Sequence, residues 1–446
     1  MAPFTTTVDR PRAVVFAVLP SGHAADEQNE NWLAEIKELL RSAEVDCVGE
    51  VVQRRERPNP KSYLGPGKLR ELRQTVQQLG ATVAVCEDNL TPAQVAAILD
   101  VVDADVLDRT ELILSVFAKH AHSLAGTLQV HLAQLEYELT RVRGKGLVLS
   151  RLGAGVDMRG PGETKLEVER RVLRERIRTL RRRIERMAST RRTQRVRRLR
   201  SDIPLIALAG YTNAGKSTLL NALTDAGVPV ADRLFETLDP TTRALRYRDR
   251  DYVITDTVGF IRKLPHELVD AFASTLEETS VADLILVVAD ASLSFAEIAA
   301  RQQTVSEVLD MIGSGEIPRL IVFNKADLAS AEQLRRLRDL YPESVTVSAL
   351  TGAGLEGLLE RITTFFASKL VPVRLLVPYA EGALVHRLRG IATDITQEAT
   401  ADGLLVTARV PTAEAARLAA YRVPSQTEPA KLAETAPTAT VRQRKT

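Results

Sequence analysis

The stretch "GYTNAGKST", residues 210–218, constrains this chain more than any other. The apolar run "IPLIALAG" leads into it and "LLNALTDA" follows, which reads as a strand, a tight turn and an opening helix. Gly210 and Gly215 let the backbone N–H groups of Tyr211, Thr212, Asn213 and Ala214 close around a β-phosphate. Lys216 reaches the β and γ oxygens, while the Ser217 hydroxyl, next to Thr218, ligates magnesium. Such a loop belongs at the carboxyl end of a strand in a parallel, helix-covered sheet, so the expected class is α/β with a doubly wound nucleotide-binding sheet.

The βα rhythm continues over residues 203–368, with strands "YVITDTVG", "LILVVADAS", "RLIVFNKAD" and "SVTVSAL". Asp256 ends the first of these and can hold the magnesium through water. Thr257 and Val258 then lead to Gly259, whose N–H can reach the γ-phosphate and so report hydrolysis. In "NKAD", Asp327 can accept two hydrogen bonds from guanine N1 and N2, which adenine cannot supply. Asn324 can meet the purine's other edge and Lys325 its face, with Ala326 between them and Asp327. Ser348, Ala349 and Leu350 end the last strand, where a backbone group can contact guanine O6. The nucleotide expected is therefore GTP, with Lys216 and Gly259 nearest the chemistry.

Between the phosphate loop and Asp256 lies "FETLDPTTR", residues 235–243. Phe235, Glu236, Thr237, Leu238 and Asp239 are expected to border the nucleotide, and one threonine should close the magnesium shell when the γ-phosphate is present. Thr237 is favoured, with Thr241 and Thr242 as rivals; the residues alone do not decide. Phe260 stands where many nucleotide switches carry a glutamine that orients the attacking water. A phenyl ring cannot do so, and we expect slow intrinsic hydrolysis, with the barrier lowered by Lys216 and magnesium. Arg262 and His266 are read first as solvated loop residues, and only second as assistants.

Charge is unevenly spread. The chain of 446 residues has a formal net charge of +3, yet residues 170–200 hold fifteen Arg against two Glu, a local +13 that leaves −10 elsewhere. A basic arm on an acidic body is the usual footprint of nucleic acid. The arm belongs to a segment, 110–200, in which apolar residues recur at helical spacing. Leu128, Leu132, Leu135, Leu139 and Val142 form one stripe, and Leu166, Leu173, Ile177, Leu180, Ile184 and Met187 another. Between them lies a glycine-rich, basic stretch, 143–165, so we expect an antiparallel helical hairpin with a loop at its tip. His122 and His131 on this hairpin read as packing or RNA-backbone contacts.

Residues 12–109 alternate strands and amphipathic helices and predict a small α/β domain. Within it, Gly65, Pro66 and Gly67 form a turn before a helix that could hold a phosphate but is read first as a plain capping turn. We place the nucleotide-binding domain at 201–368, a small α+β domain at 369–422, and a disordered tail at 423–446. Cys47 and Cys86 are too few for a disulfide framework and have no zinc spacing. No apolar run approaches the roughly 20 residues that span a bilayer. We expect a cytoplasmic monomer with at most peripheral membrane association.

With "RGPGETKLE" at 159–167 and "YLGPGKL" at 63–69, these motifs resemble the HflX family of translation-associated GTPases, over residues about 12 to 422. The resemblance implies a magnesium-dependent GTPase that binds GTP and GDP. It also implies binding to the large (50S) ribosomal subunit, with splitting of stalled or idle 70S ribosomes under stress and hydrolysis stimulated by the subunit. The hairpin tip, with Gly160 and Gly162, is then directed at the 23S rRNA of the peptidyl transferase region, and Thr237 becomes the second magnesium ligand. Glu236 departs from the alanine often found at its position. The alternatives are a ribosome-assembly or RNA-remodelling GTPase, and a GTP-binding scaffold that no longer hydrolyses.

Overall fold

The computed structural model describes residues 10–20, 23–152, 161–199, 203–224, 234–235, 241–248, 250–264 and 279–423. Two compact units are present, Met1–Arg361 and Ile362–Thr446.

The first unit opens with a four-stranded parallel sheet, β1 (Arg12–Leu19), β2 (Asp46–Arg54), β3 (Val83–Cys86) and β4 (Asp105–Leu107), in the order β2-β1-β3-β4. All but the first residue of β1 are buried, as expected for a central strand covered by helices on both faces. One face packs on α2 (Pro66–Leu79) and α3 (Pro92–Leu99), around Phe16, Leu64, Leu72 and Ile98. Against the other lie α1 (His23–Ser42) and α4 (Arg109–His120). From sequence α4 opens the hairpin segment; in the structure its Leu112, Ile113, Val116 and Phe117 sit in the sheet's own core.

The hairpin is made by α5 (Leu124–Leu152) and α6 (Pro161–Leu199), whose seam joins Leu132, Leu135 and Val142 to Leu173 and Ile177. At 1.5 Å per residue these helices run about 44 and 58 Å. The expected loop at 143–165 is shorter than the sequence suggested, because helix continues to Leu152 and resumes at Pro161. Isolated glycines cost a helix only about 1 kcal/mol each, and proline is well tolerated in a first turn. Residues 153–160, including Gly160, lie outside the described residues.

Next comes a six-stranded sheet of β5 (Leu205–Gly210), β6 (Thr241–Tyr247), β7 (Arg250–Asp256), β8 (Leu284–Asp290), β9 (Arg319–Asn324) and β10 (Val345–Thr346), in the order β10-β9-β8-β5-β7-β6. It is the expected doubly wound parallel sheet, except that β6 is an antiparallel edge. The strand β6 carries little sequence signal, since "TTRALRY" alternates weakly and the strand lies half exposed.

The second unit is a three-stranded antiparallel sheet of β11 (Leu370–Val377), β12 (Thr393–Thr400) and β13 (Gly403–Pro411), in the order β11-β13-β12. Leu375, Val377, Leu388, Val406 and Val410 form its core. The polar edge strand β12, "TDITQEAT", gave no apolar signal and was missed. The tail expected to be disordered lies, from residue 424, outside the described residues. Among the described residues no helix is long and apolar enough to cross a membrane.

Candidate nucleotide site and its bracing

Gly210 ends β5 at φ 153°, Asn213 stands at φ 60° and Gly215 at φ 87°, so successive peptide groups turn in the way that forms a concave nest of N–H donors. Two of these positions accept nothing larger than glycine. A Cβ on Gly210 would stand 2.3 Å from the Val288 carbonyl oxygen, and one on Gly215 would stand 2.3 Å from Asn324 Nδ2. The helix α7 (Lys216–Thr224) follows at once, and its first residue, Lys216, is buried with its ammonium on the carbonyls of Gly210 (3.3 Å) and Tyr211 (3.1 Å). Burial pulls this ammonium below its ordinary value, and Asp256 opposes the shift.

The Ser217 hydroxyl donates to Asp256 Oδ2 at 2.6 Å, and Asp256 is fully buried at the end of β7. These are hard oxygen donors of the kind magnesium takes. Thr237, with Glu236, Leu238 and Asp239, lies outside the described residues. Of its rivals, Thr241 stands opposite Asp256 in the sheet register, and the Thr242 hydroxyl is 3.2 Å from that of Thr255.

Gly259 packs directly on the loop: a Cβ there would meet Thr212 Cα at 2.9 Å and Lys216 Nζ at 3.0 Å. Phe260 then pairs with the phosphate loop as a strand would. Its N–H donates to Gly210 O at 3.0 Å and its carbonyl accepts from Thr212 N at 2.8 Å. The ring is 1% exposed, within a core that includes Phe117, Phe235 and Ile261. Phe260 is therefore a packing residue, its ring buried among other apolar side chains. The Thr257 hydroxyl donates to Leu208 O at 2.7 Å and likewise serves the scaffold.

The residues read as contacting the base lie close to one another. Ser348 Oγ donates to Asp327 Oδ1 at 2.6 Å, fixing an exposed carboxylate at the rim. Ala326 N donates to Val347 O at 3.1 Å, and Lys325 pairs with Asp290 at 2.7 Å. Asn324 is 2% exposed, donating to Ala214 O at 3.0 Å and accepting from Ala349 N at 2.9 Å, so it braces the phosphate loop against the 348–350 loop. Leu350 is 80% exposed.

What the sequence reading missed is how the first sheet grips this site. Arg109, fully buried at the start of α4, donates to Glu87 at 2.9 Å, to Glu35, and to the Arg262 carbonyl at 3.1 Å. The Arg262 guanidinium returns to Glu87 and stacks 4.4 Å from the Trp32 ring centroid. The side chain of Tyr211, whose backbone N–H belongs to the phosphate loop, is buried against the first sheet: the hydroxyl donates to Glu35 and accepts from Arg262 N at 2.8 Å. Burial pushes Glu87 up, with Arg109 and Arg262 pulling the other way.

Phe235 is held similarly, its ring 4.4 Å from that of Phe117, while Leu234 N donates to Ser42 Oγ at 3.0 Å. On α4's other side Asp108 accepts from Arg141 at 3.2 Å and from the Tyr137 hydroxyl, tying the hairpin to the same corner. A signal for this was present: Glu87 and Asp108 follow the carboxyl ends of parallel strands, where open α/β sheets bind their ligands. Here the ligand is another part of the chain. His266 lies outside the described residues, as do the side chains of Arg191 and Arg192.

Residues 30–118 match the family model described as GTP-binding GTPase N-terminal, 120–198 that for the GTP-binding GTPase middle region, and 205–325 that for a 50S ribosome-binding GTPase. A GTPase HflX from Caldanaerobacter subterraneus is 42% identical over 90% of this chain and 91% of that protein. A second, from Lacrimispora saccharolytica, is 41% identical over 91% and 95%, and a third, from Escherichia coli, 41% over 85% and 89%.

Proposed function

Since this chain belongs to the HflX family of GTPases, and is thus a GTP-hydrolysing enzyme, we propose that it acts on ribosomes: it binds the large subunit and splits stalled or idle 70S particles under stress. The observation that carries the reading is the α6 face, where Arg171, Arg174, Arg176, Arg178, Arg181, Arg182, Arg183 and Arg186 are all exposed. Arg178 pairs with Glu175 and Arg181 with Glu136, but acidic partners are too few to neutralise that face. Basic helices of this length suit RNA phosphates. The proposed site of action is the peptidyl transferase region of the 23S rRNA, in the cytoplasm.

In the proposed reaction the phosphate loop holds the β-phosphate, Lys216 stabilises charge on the β and γ oxygens, and the Gly259 N–H meets the γ-phosphate. Ser217 and Asp256 would hold magnesium, with Thr237 closing the shell; when bound, it neutralises charge on the phosphate oxygens. Asp327 selects guanine. With Phe260 buried, no side chain at that position orients water, so the reading requires the subunit to complete the site.

GTP and ATP turnover, measured with and without purified large subunits, tests this. Hydrolysis specific for GTP and accelerated by the subunit is expected; an unchanged rate overturns it. Light scattering of intact ribosomes with protein and GTP separates splitting from assembly, since an assembly factor leaves the scattering constant.

A further inference from the structure

The segment "SYLGPGKLREL" belongs to the first sheet's domain, apart from the phosphate loop in sequence. Its turn is closed by the protein itself, because Gly65 N donates to Gln53 Oε1 at 2.9 Å and Pro66 opens α2. What the segment presents is Tyr63. This residue stands at φ 62°, a left-handed conformation that bulky side chains rarely adopt. Its surroundings enforce it: Asn59 and Tyr63 exchange two backbone hydrogen bonds, at 2.8 and 2.9 Å, and the ring is 2% exposed beside Phe16. The hydroxyl accepts from Val18 N at 3.2 Å and donates to Asp88 Oδ2 at 2.6 Å.

The other oxygen of Asp88 pairs with the ammonium of Lys263. Lys263 is itself left-handed, at φ 54°, four residues beyond Gly259. Asp88 thus stands between two strained backbones, one fixed on the first sheet and one in the segment that follows the γ-phosphate contact. Burial would push the Asp88 carboxyl up, yet Lys263 with Tyr63 holds it below its ordinary value. Strain of this kind persists only where neighbours over-determine it, and it clusters at switch regions.

We propose that Tyr63 and Asp88 are positioning residues for GTP hydrolysis, forming a catch that holds Lys263 and, with it, the backbone running back to Gly259. The proposal rests on Gly259 as the γ-phosphate contact. A segment that responds to the γ-phosphate rearranges between substrate and product states. The catch therefore opens in each turnover, and the left-handed strain at Lys263 favours opening. Loss of the catch raises turnover at saturating GTP and leaves KM unchanged.

The test is steady-state GTP hydrolysis by the full chain and by Tyr63→Phe, Asp88→Asn, Lys263→Met and the Tyr63→Phe/Lys263→Met pair, with melting temperatures recorded. Tyr63→Phe keeps the ring against Phe16 and removes only the hydroxyl; Asp88→Asn and Lys263→Met leave the Val18 contact alone. Each single change is expected to raise kcat about two- to tenfold, and the pair no more than Lys263→Met alone, as residues acting through one contact behave. Unchanged kcat in Asp88→Asn and Lys263→Met, or additive effects in the pair, overturns the catch. Gly259→Ala serves as the reference. If it is inactive while the others are silent, the catch alone has failed; if it turns over normally, the γ-phosphate reading fails and takes the catch with it.

Discussion

The Tyr211 hydroxyl accepts the backbone N–H of Arg262 at 2.8 Å, which joins the second residue of the phosphate loop to the segment beyond Gly259. The same oxygen donates to Glu35 on α1. Tyr211→Phe leaves a buried N–H and a carboxylate oxygen each short of a partner, which costs about 1–3 kcal/mol. Chemical denaturation should register that loss, and Glu35→Gln combined with Tyr211→Phe should cost less than the sum of the two. Strict additivity would show that the contact contributes nothing.

Phe260 makes the second prediction. Its ring is 1% exposed in the core that links both sheets, so Phe260→Ala should destabilise by about 3–5 kcal/mol. Phe260→Gln buries an amide in the same place and should also lower the melting temperature. Neither should raise the GTP turnover of the isolated enzyme, because the side chain is buried in packing. A large gain of activity in Phe260→Gln would refute the packing role.

The contrast between Phe260 and Asp327 says what the sequence could tell. Phosphate-loop glycines, Asp256, Gly259 and the "NKAD" residues could be placed from sequence because each lies at or just beyond the carboxyl end of a strand, where open α/β sheets bind their ligands. Arg109, Glu87, Glu35 and Tyr63 were invisible as a group: their contacts join positions up to 176 residues apart, Tyr211 to Glu35, and only the packing of one sheet's edge on another segment brings them together. Local period also failed at β6 and β12, whose exposed edges carry little apolar signal.

Arg109 is fully buried among Glu87, Glu35 and the Arg262 carbonyl. Removing one partner of a buried ion pair costs about 3–5 kcal/mol, since the remaining charge stays desolvated. Arg109→Met should therefore lose stability on that scale. Arg109→Lys keeps the charge but cannot reach all three acceptors, and should fall between. Equal midpoints for Arg109→Lys and the unmodified chain would contradict the role of the guanidinium's fork.

Lys216 gives a pH prediction. Its ammonium lies below the ordinary 10.5 through burial, with Asp256 opposing. Phosphate oxygens favour the charged lysine, so GDP binding raises its value again. Between the lowered value and the phosphate-bound one, binding takes up a proton and affinity falls as pH rises. Calorimetry in two buffers of different ionisation enthalpy should detect that uptake on the alkaline side, and Lys216→Met should abolish it along with most affinity. Proton release on binding would reverse the sign and sink the argument.

The exposed arginines of α6 set the last prediction. Each phosphate neutralised contributes about 0.7–0.9 to the slope of log affinity against log salt. Replacing Arg181, Arg182 and Arg183 with glutamine should weaken binding to large subunits and flatten that slope by roughly two units, since Arg181 already shares Glu136. Glutamine is a good helix former, and Leu173 and Ile177 are untouched, so the hairpin seam survives. Circular dichroism of the variant controls for this. A slope equal to that of the unmodified chain, with helix content retained, would mean that this face of α6 does not lie on RNA.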